Sequence, residues 1–370
     1  MIMDFNKEME EEERRIPNQE KILGKAAMQP FANTNSGSRK ILFETQLEHS
    51  LALMHPEVPI IQTGYEIRFG DYSSSIYQAP NDLEIMDEIP KFQDKPNHHY
   101  YLITRDLDTG EYDYIERKTY NHNTEAYGYL YDNSTLDCLD IGYEVKKDEI
   151  LRKSYAFDEY MNRCDGVNLL TAYVCTDRSM EDGIILSESA AEKLASPLIR
   201  EVKVQVNDND LLLNIFGDEN HYKSFPDIGE TIKGGILCAV RREKTEECLY
   251  MQSIDRLNKI LMSDTKYTVE GQVIDITVNC NNPDTLNDKY SNCQIDYYYR
   301  ERRRFNKDII NSVERLMKLG NGSFSTRLMK LYDIAKEEED GNQFVYDKVY
   351  SGTMITFYVL QESKVDIGVA

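Results

Sequence analysis

The chain has 370 residues, 41% of them apolar and 29% charged, proportions ordinary for globular protein, and at roughly 100–200 residues per domain it holds two or three domains. With 65 acidic against 43 basic side chains the net charge is −22, which excludes a free-standing nucleic-acid binder, because phosphate contact needs a positive surface. A local basic face, or a place beside basic partners, stays open. No apolar run approaches the roughly 18–20 residues of a membrane span, and no charged stretch followed by an apolar core opens the chain as a secretory signal. Seven cysteines are scattered without a Cys-x-x-Cys pair, so neither a disulfide framework nor a zinc ribbon is expected. These traits predict a cytosolic protein.

Residues 4–15, with Glu10 to Glu13 and Arg14-Arg15, form an acidic helical run ended by Pro17. Gly24 to Phe31 is small and apolar, Ala32 to Ser38 has loop chemistry, and residues 39–54 read as a helix with Ile41, Leu42, Leu47 and Leu51 at helical spacing. Pro56 and Pro59 end it. Residues 58–150 alternate in short β-prone stretches, including 100–104, 112–115 and 125–131. Residues 167–174 read as a buried strand, followed by β stretches at 183–186, 202–206 and 271–278. Residues 297–319 carry Ile309, Ile310, Val313, Leu316 and Met317 on one helical face; Gly320-Asn-Gly322 turns the chain, and Phe324, Leu328, Leu331 and Ile334 continue on a second helix, an αα-hairpin. A last strand occupies 352–360.

One internal echo stands out. Asp140-Ile-Gly142 through Leu151 matches Asp227-Ile-Gly229 through Leu237 with one residue deleted: a Gly turn, an apolar residue three further on, a basic turn, then Ile-Leu entering a strand. It predicts the hairpin by which a small barrel-like β sandwich folds over itself. Biotinyl and lipoyl carrier domains use the same turn around a modifiable lysine. The nearest such lysines here, Lys318 and Lys330, each follow a methionine inside a helical pattern.

Three constellations can carry chemistry. Ser36-Gly-Ser38-Arg39 stands at a loop-to-helix junction, where free N–H groups favour an anion and a guanidinium adds a fork for phosphate oxygens; a plain helix cap beside a solvated arginine is the other reading. Glu181-Asp182 precedes an apolar run, and two tandem carboxylates can hold Mg²⁺ directly or through its waters, or form a solvated acidic turn. Tyr297 to Phe305 interleaves aromatics with Arg300, Arg302, Arg303 and Arg304, which reads either as a nucleic-acid or acidic-partner contact or as the start of an amphipathic helix.

From Gly24 onward, the order of five blocks resembles the β subunit of multisubunit DNA-dependent RNA polymerases. Gly24-Lys-Ala-Ala-Met-Gln-Pro-Phe31, seven loop residues and Arg39 are similar to a family stretch in which Pro-Phe precedes a polar loop and an arginine. Pro59-Ile-Ile-Gln-Thr-Gly-Tyr-Glu66 resembles the family's Gly-Thr-Gly-Met-Glu segment. Asp165 to Tyr173 followed by Met180 to Glu188 resembles its Gly-Tyr-Asn, Phe-Glu-Asp and Ser-Glu run. Asp227 to Val240 with Val269 to Ile276 resembles the flap, and Tyr358 to Ala370 resembles the strand before the family's Gly-Asp-Lys.

The resemblance implies a mixed α+β, β-rich fold: a polymerase β-subunit core of barrel-like domains with barrel-sandwich-type turns, plus a flap region with a helical hairpin. It implies an acidic arm over residues 1–23, an active-centre and hybrid-binding region over 24–200, a flap-like region over 201–350 with its hairpin at 297–337, and a terminal strand over 351–370 leading into a missing C-terminal part. It implies templated nucleotidyl transfer from NTPs to an RNA 3′ end. Arg39, with Ser38 beside it, then contacts the nucleotide phosphates, and Glu181 and Asp182 approach the second Mg²⁺ through water. The principal metal ligands are expected on a β′-like partner.

The departures suit a divided, viral version. Nine positions after Arg39, where the family carries a second basic residue, stands Glu48, and the block at Gln62-Thr63-Gly64 lacks the family's first glycine. The family's next lysines and its His-Gly-Asn-Lys-Gly run do not occur. The chain therefore resembles one piece of a split β subunit of the kind giant tailed phages encode. The expected partners are other β and β′ pieces, DNA, RNA, NTPs and a promoter-recognition subunit, without a membrane. The expected location is the host cytoplasm, with packaging in the virion as a further expectation. A non-catalytic assembly protein that retains the β scaffold, and a biotinyl- or lipoyl-like carrier, are the rival expectations.

Overall fold

Period-two alternation of apolar and polar residues builds the strands, and the computed structural model describes residues 28–64, 66, 76–95, 99–122, 128–174, 183–207, 210–218, 221–242, 257–280, 293–320, 322–339 and 352–366. The acidic run at 4–15 and part of the stretch at 125–131 lie outside these residues. The described strands form four small, open antiparallel sheets, so the architecture is mixed α+β and strand-rich, with half-barrel sheets.

The first sheet runs β4 (Tyr112–Arg117), β3 (Tyr100–Asp106), β2 (Leu83–Pro90) and β7 (Glu144–Val145). The second runs β1 (Ile76–Gln78), β8 (Ile150–Ser154), β6 (Gly128–Asp132) and β5 (Tyr120–His122). Between them lies a core that includes Leu83, Ile85, Leu102, Ile115, Leu136, Val145 and Leu151. A third sheet, β13 (Gln272–Cys280), β14 (Thr353–Ser363) and β9 (Ser196–Val206), shares its core with a fourth, β10 (Asp210–Leu212), β11 (Ile236–Arg242) and β12 (Thr265–Thr268). Phe225, Leu237, Val240, Val273, Ile276, Ile355, Phe357 and Val359 fill that core.

A strand that is apolar on both faces must be covered on both. Leu102 and Ile103, neighbours on β3, are 1% and 0% exposed and point into different cores. Ile103 meets two long helices, Cys293–Leu319 and Thr326–Glu339, which pack antiparallel through Phe305, Ile309, Val313, Leu316, Leu328 and Tyr332. The first of these helices spans both halves of the molecule, since Ile295 and Tyr298 near its start belong to the core of the third and fourth sheets. No helix of the described residues is long and apolar enough to cross a membrane.

The echoed Asp-Ile-Gly turns have one geometry. Gly142 and Gly229 take φ of 86° and 89°, a left-handed conformation open to glycine at little cost. The Gly142 N–H donates to Ile85 O at 2.7 Å, Ile85 N–H donates to Tyr143 O at 3.0 Å, and Tyr143 N–H closes the turn on Asp140 O at 3.1 Å. The second turn repeats these bonds from Gly229 to Val273, Val273 to Glu230 and Glu230 to Asp227, at 2.7, 3.0 and 3.0 Å. Even the bulges correspond, between Ile85 and Asp87 on β2 and between Val273 and Asp275 on β13. The partner strand precedes the turn in the first unit and follows it in the second.

Two expectations need correction. The helix expected over 39–54 is Gly37–Glu48, here α1, because Ser50 turns back and both its N–H and its hydroxyl bond the Leu47 carbonyl, at 3.2 and 2.6 Å. Residues 167–174 and 183–186, expected as strands, are irregular, with Leu170 and Tyr173 fully exposed and Ile184 84% exposed. Their apolar character is that of strands, but among the described residues no neighbouring strand pairs with them.

Candidate functional site

Helix α1 carries the first candidate group. Ser36 is its N-cap in extended conformation, yet the hydroxyl caps no backbone N–H and lies 3.3 Å from the Ser38 hydroxyl instead. Among the described residues the amides of the first turn are thus left without a capping side chain. Arg39 stands in that turn, exposed, and among the described residues its guanidinium meets no carboxylate. Phe31 precedes it in a left-handed conformation (φ 56°), where its carbonyl accepts from the Thr34 N–H and hydroxyl at 3.0 and 2.7 Å.

None of residues 37–47 is buried, and the chain following α1 is bonded to distant segments. Met54 N–H donates to Ala195 O at 2.8 Å, and Glu57 N–H donates to Gly166 O at 2.8 Å. The Glu57 carboxylate then accepts from three donors. Asn168 offers its backbone N–H at 3.0 Å and its Nδ2 at 3.3 Å, both to Oε2, and Lys193 Nζ reaches Oε1 at 2.8 Å. Asn168 returns along the same strip, its Nδ2 donating to Val58 O at 2.7 Å and its Oδ1 accepting from Ile60 N–H at 3.1 Å. Lys193 and Asn168 hold the Glu57 carboxyl below its ordinary pKa.

Glu66 closes the strip. It is 4% exposed and accepts from Thr63 N–H, Thr63 Oγ1 and Gly64 N–H at 2.8, 3.1 and 2.7 Å. Burial alone would raise its carboxyl; these donors more than reverse that and hold it below the usual value. Its carbonyl accepts from Arg163 N–H at 3.2 Å. Residues 56–66 and 163–168, distant in sequence, thus lie side by side.

Lys193 ends a short helix, Glu188–Lys193, capped by Ser187 Oγ accepting from Ala190 N–H at 3.2 Å. Glu181 and Asp182 lie outside the described residues, which resume at Gly183. Among the described residues no group of three His, Cys, Asp or Glu could hold a metal ion. The two carboxylates that the sequence pairs with Mg²⁺ are thus not among the described residues.

The four arginines of the basic-aromatic stretch are engaged within the chain. Arg300 pairs with Asp296 at 2.9 Å, Arg302 with Glu338 at 3.2 Å and with Asn279, and Arg303 with Glu339 through two bonds of 3.0 Å. Arg304 binds Asp308 and Glu301, each at 3.0 Å, and the carbonyls of Pro90 and Lys91. Arg302 and Arg303 fasten the two long helices to each other, and Arg304 fastens the first of them to β2. A cavity of about 230 Å³ beneath the helices is lined in part by Arg302, Asn306 and Glu338, and the first two already donate to the Glu338 carboxylate.

The sequence singled out Arg39 and the blocks at 59–66 and 165–173, but not Glu57 or Lys193, nor the roles of Glu66 and Asn168. One signal was available: Asn168 interrupts an uncharged apolar run, where an amide needs a partner.

No family model matches the chain. Over 212 residues, 55% of its length, it is 26% identical to the DNA-directed RNA polymerase subunit beta of Cytophaga hutchinsonii, of which it covers 15%. Over 220 residues, 59% of its length, it is 23% identical to the DNA-directed RNA polymerase subunit beta of Ureaplasma urealyticum serovar 10, of which it covers 14%. The chain is therefore distantly related to part of a polymerase β subunit, and the match spans about one seventh of these curated relatives.

Proposed function

We propose that this chain is a β-type piece of a DNA-directed RNA polymerase, working in a complex that adds nucleotides from NTPs to an RNA 3′ end on a DNA template. The observation that carries the reading is the distant similarity of more than half the chain to polymerase β subunits. The packing of 56–66 against 163–168 supports it, because two of the blocks that resemble the family meet there.

In this reading, Arg39 and the uncapped amides around Ser38 receive the phosphates of the incoming nucleotide. A guanidinium that is exposed and meets no carboxylate among the described residues suits a ligand that arrives from outside. Glu181 and Asp182 hold Mg²⁺ through water, and the ion, when bound, neutralises phosphate charge; its principal ligands come from a β′-like partner. Phosphoryl transfer asks for positioning and charge compensation, and this chain supplies part of both. The paired helices 293–319 and 326–339 belong to a flap-like region.

Exposed apolar residues support partner chains. Ile60, Ile61, Leu170, Tyr173, Val174, Ile184 and Ile185 are 55–107% exposed and lie on 60–61, 169–174 and 183–186, a concentration that marks an interface. We assign that interface to other β and β′ pieces, in a divided polymerase of the giant-phage type acting in the host cytoplasm. The acidic Glu48 favours a second reading, an assembly protein that keeps the scaffold without the chemistry.

The test is to co-express the chain with the polymerase-like polypeptides of the same genome and assay RNA synthesis with and without it. Template-dependent RNA synthesis that requires this chain supports the reading. A complete activity without it contradicts the reading.

A further inference from the structure

We propose that Glu57 is a positioning residue that, with Asn168 and Lys193, clamps the Arg39-bearing segment against the run 166–168 and the helix Glu188–Lys193. This inference rests on the nucleotide-site reading above and adds a residue that the sequence did not single out.

The argument begins with how little else holds α1. Residues 37–47 are all partly or wholly exposed, and Ile41 and Leu42 are 65% and 46% exposed. A helix so lightly packed does not locate an arginine by burial. Its location comes from the strip that follows, and that strip converges on one carboxylate. Glu57 is bonded across 111 residues to Asn168 and across 136 residues to Lys193. Its backbone N–H is bonded to Gly166 as well. One side chain thereby joins three segments: the strip after α1, the irregular run 166–168 and the helix 188–193.

Geometry separates this from an ordinary surface ion pair. Exposed pairs contribute little because two long side chains are ordered for one contact. Here Oε2 takes a backbone N–H and a side-chain N–H from one residue, whose Nδ2 also binds the Val58 carbonyl. The amide of Asn168 reads the strip at two further points, and Lys193, half-exposed, reaches the remaining oxygen. A shift of about 1 Å in a binding group can cost a hundredfold in rate, so such a clamp acts on the nucleotide without touching it.

The experiment measures NTP-dependent elongation by the co-purified complex carrying Glu57→Ala, Glu57→Gln, Lys193→Met or, as the control for the underlying reading, Arg39→Ala. Amide hydrogen exchange on the full chain is followed in parallel. The expected result is a KM for NTP raised about tenfold by Glu57→Ala with kcat within about twofold, and a smaller rise for Glu57→Gln, which keeps an acceptor for Asn168. The Asn168 amide loses protection in Glu57→Ala while the protection of β3 is unchanged. If Arg39→Ala raises KM and Glu57→Ala does not, the clamp is overturned and the nucleotide site stands. If Arg39→Ala leaves elongation unchanged, the nucleotide-site reading and the clamp fall together. Should Glu57→Ala fail to assemble, Glu57→Gln and Lys193→Met decide: an unchanged KM in both overturns the clamp.

Discussion

The guanidinium of Arg241 lies against the carboxylate of Asp264 in a two-bond fork, Nε to Oδ1 and Nη2 to Oδ2, each at 3.0 Å, with side chains only 7% and 1% exposed. Arg241 also reaches the Lys259 carbonyl at 3.0 Å, and Asp264 accepts from Leu261 N–H at 2.6 Å. The pair ties β11 to the turn that enters β12. Removing one partner strands a buried charge, so Arg241→Ala should destabilise the chain by about 3–5 kcal/mol in urea melts. An apolar replacement of both residues together should cost less than either single change.

Acid should unfold the chain through a small set of carboxylates. Glu116 is largely withdrawn from solvent, which alone would raise its carboxyl, but His99 at 3.1 Å and Lys118 at 2.9 Å bring it down to about 2 from an ordinary 4.5. Burial alone would likewise raise the Asp264 carboxyl, and Arg241 with the Leu261 N–H more than reverses that and holds it below its ordinary value. A lowered folded pKa gives stability that is present above the unfolded value and lost as pH falls through the folded one. Thermal midpoints should therefore hold steady above pH 5 and fall between about 4.5 and 2, and Glu116→Gln should flatten part of that fall.

The echoed turns give a paired prediction. A Cβ at Gly142 would meet no atom within 4 Å, so Gly142→Ala isolates the strain of a left-handed alanine. The expected cost is about 1–2 kcal/mol, and Gly229→Ala, with the same φ and the same three bonds, should cost at least as much. Because the turns serve different cores, the double variant should lose the sum of the two.

The arginines of the first long helix should prove unequal in stability measurements. Arg302 is 22% exposed beside Glu338 at 12%, whereas Arg300 is 69% exposed. Arg302→Ala leaves Glu338 short of a donor and should cost about 1–3 kcal/mol, and Arg300→Ala should cost under about 1 kcal/mol. Equal costs would mean that the carboxylates of the second helix do not depend on these partners.

Much of this was legible in the sequence where the signal is local. The helical spacing of Ile309, Val313 and Leu316 gave the first long helix, and the repeated Asp-Ile-Gly gave two turns whose hydrogen bonds prove the same. Residues 167–174 misled because apolar, β-prone residues report a surface awaiting cover, not the strand that covers it. The joining of Glu57 to Asn168 and Lys193 was not legible, since no local pattern reports partners more than 100 residues away. Nor did composition reveal that Arg300 to Arg304 have carboxylate partners; Asp296 and Asp308 stand one turn away on the same helix, whereas the bonds to Glu338 and Glu339 depend on how the two helices pack.

The most direct measurement is elongation by the co-purified complex at varied NTP concentration, with this chain wild type or carrying Arg39→Ala. The proposed function predicts an intact complex whose KM for NTP rises about tenfold or more, because a phosphate contact has been removed. An intact complex with unchanged KM and kcat would contradict it, leaving the similarity to polymerase β subunits a matter of scaffold.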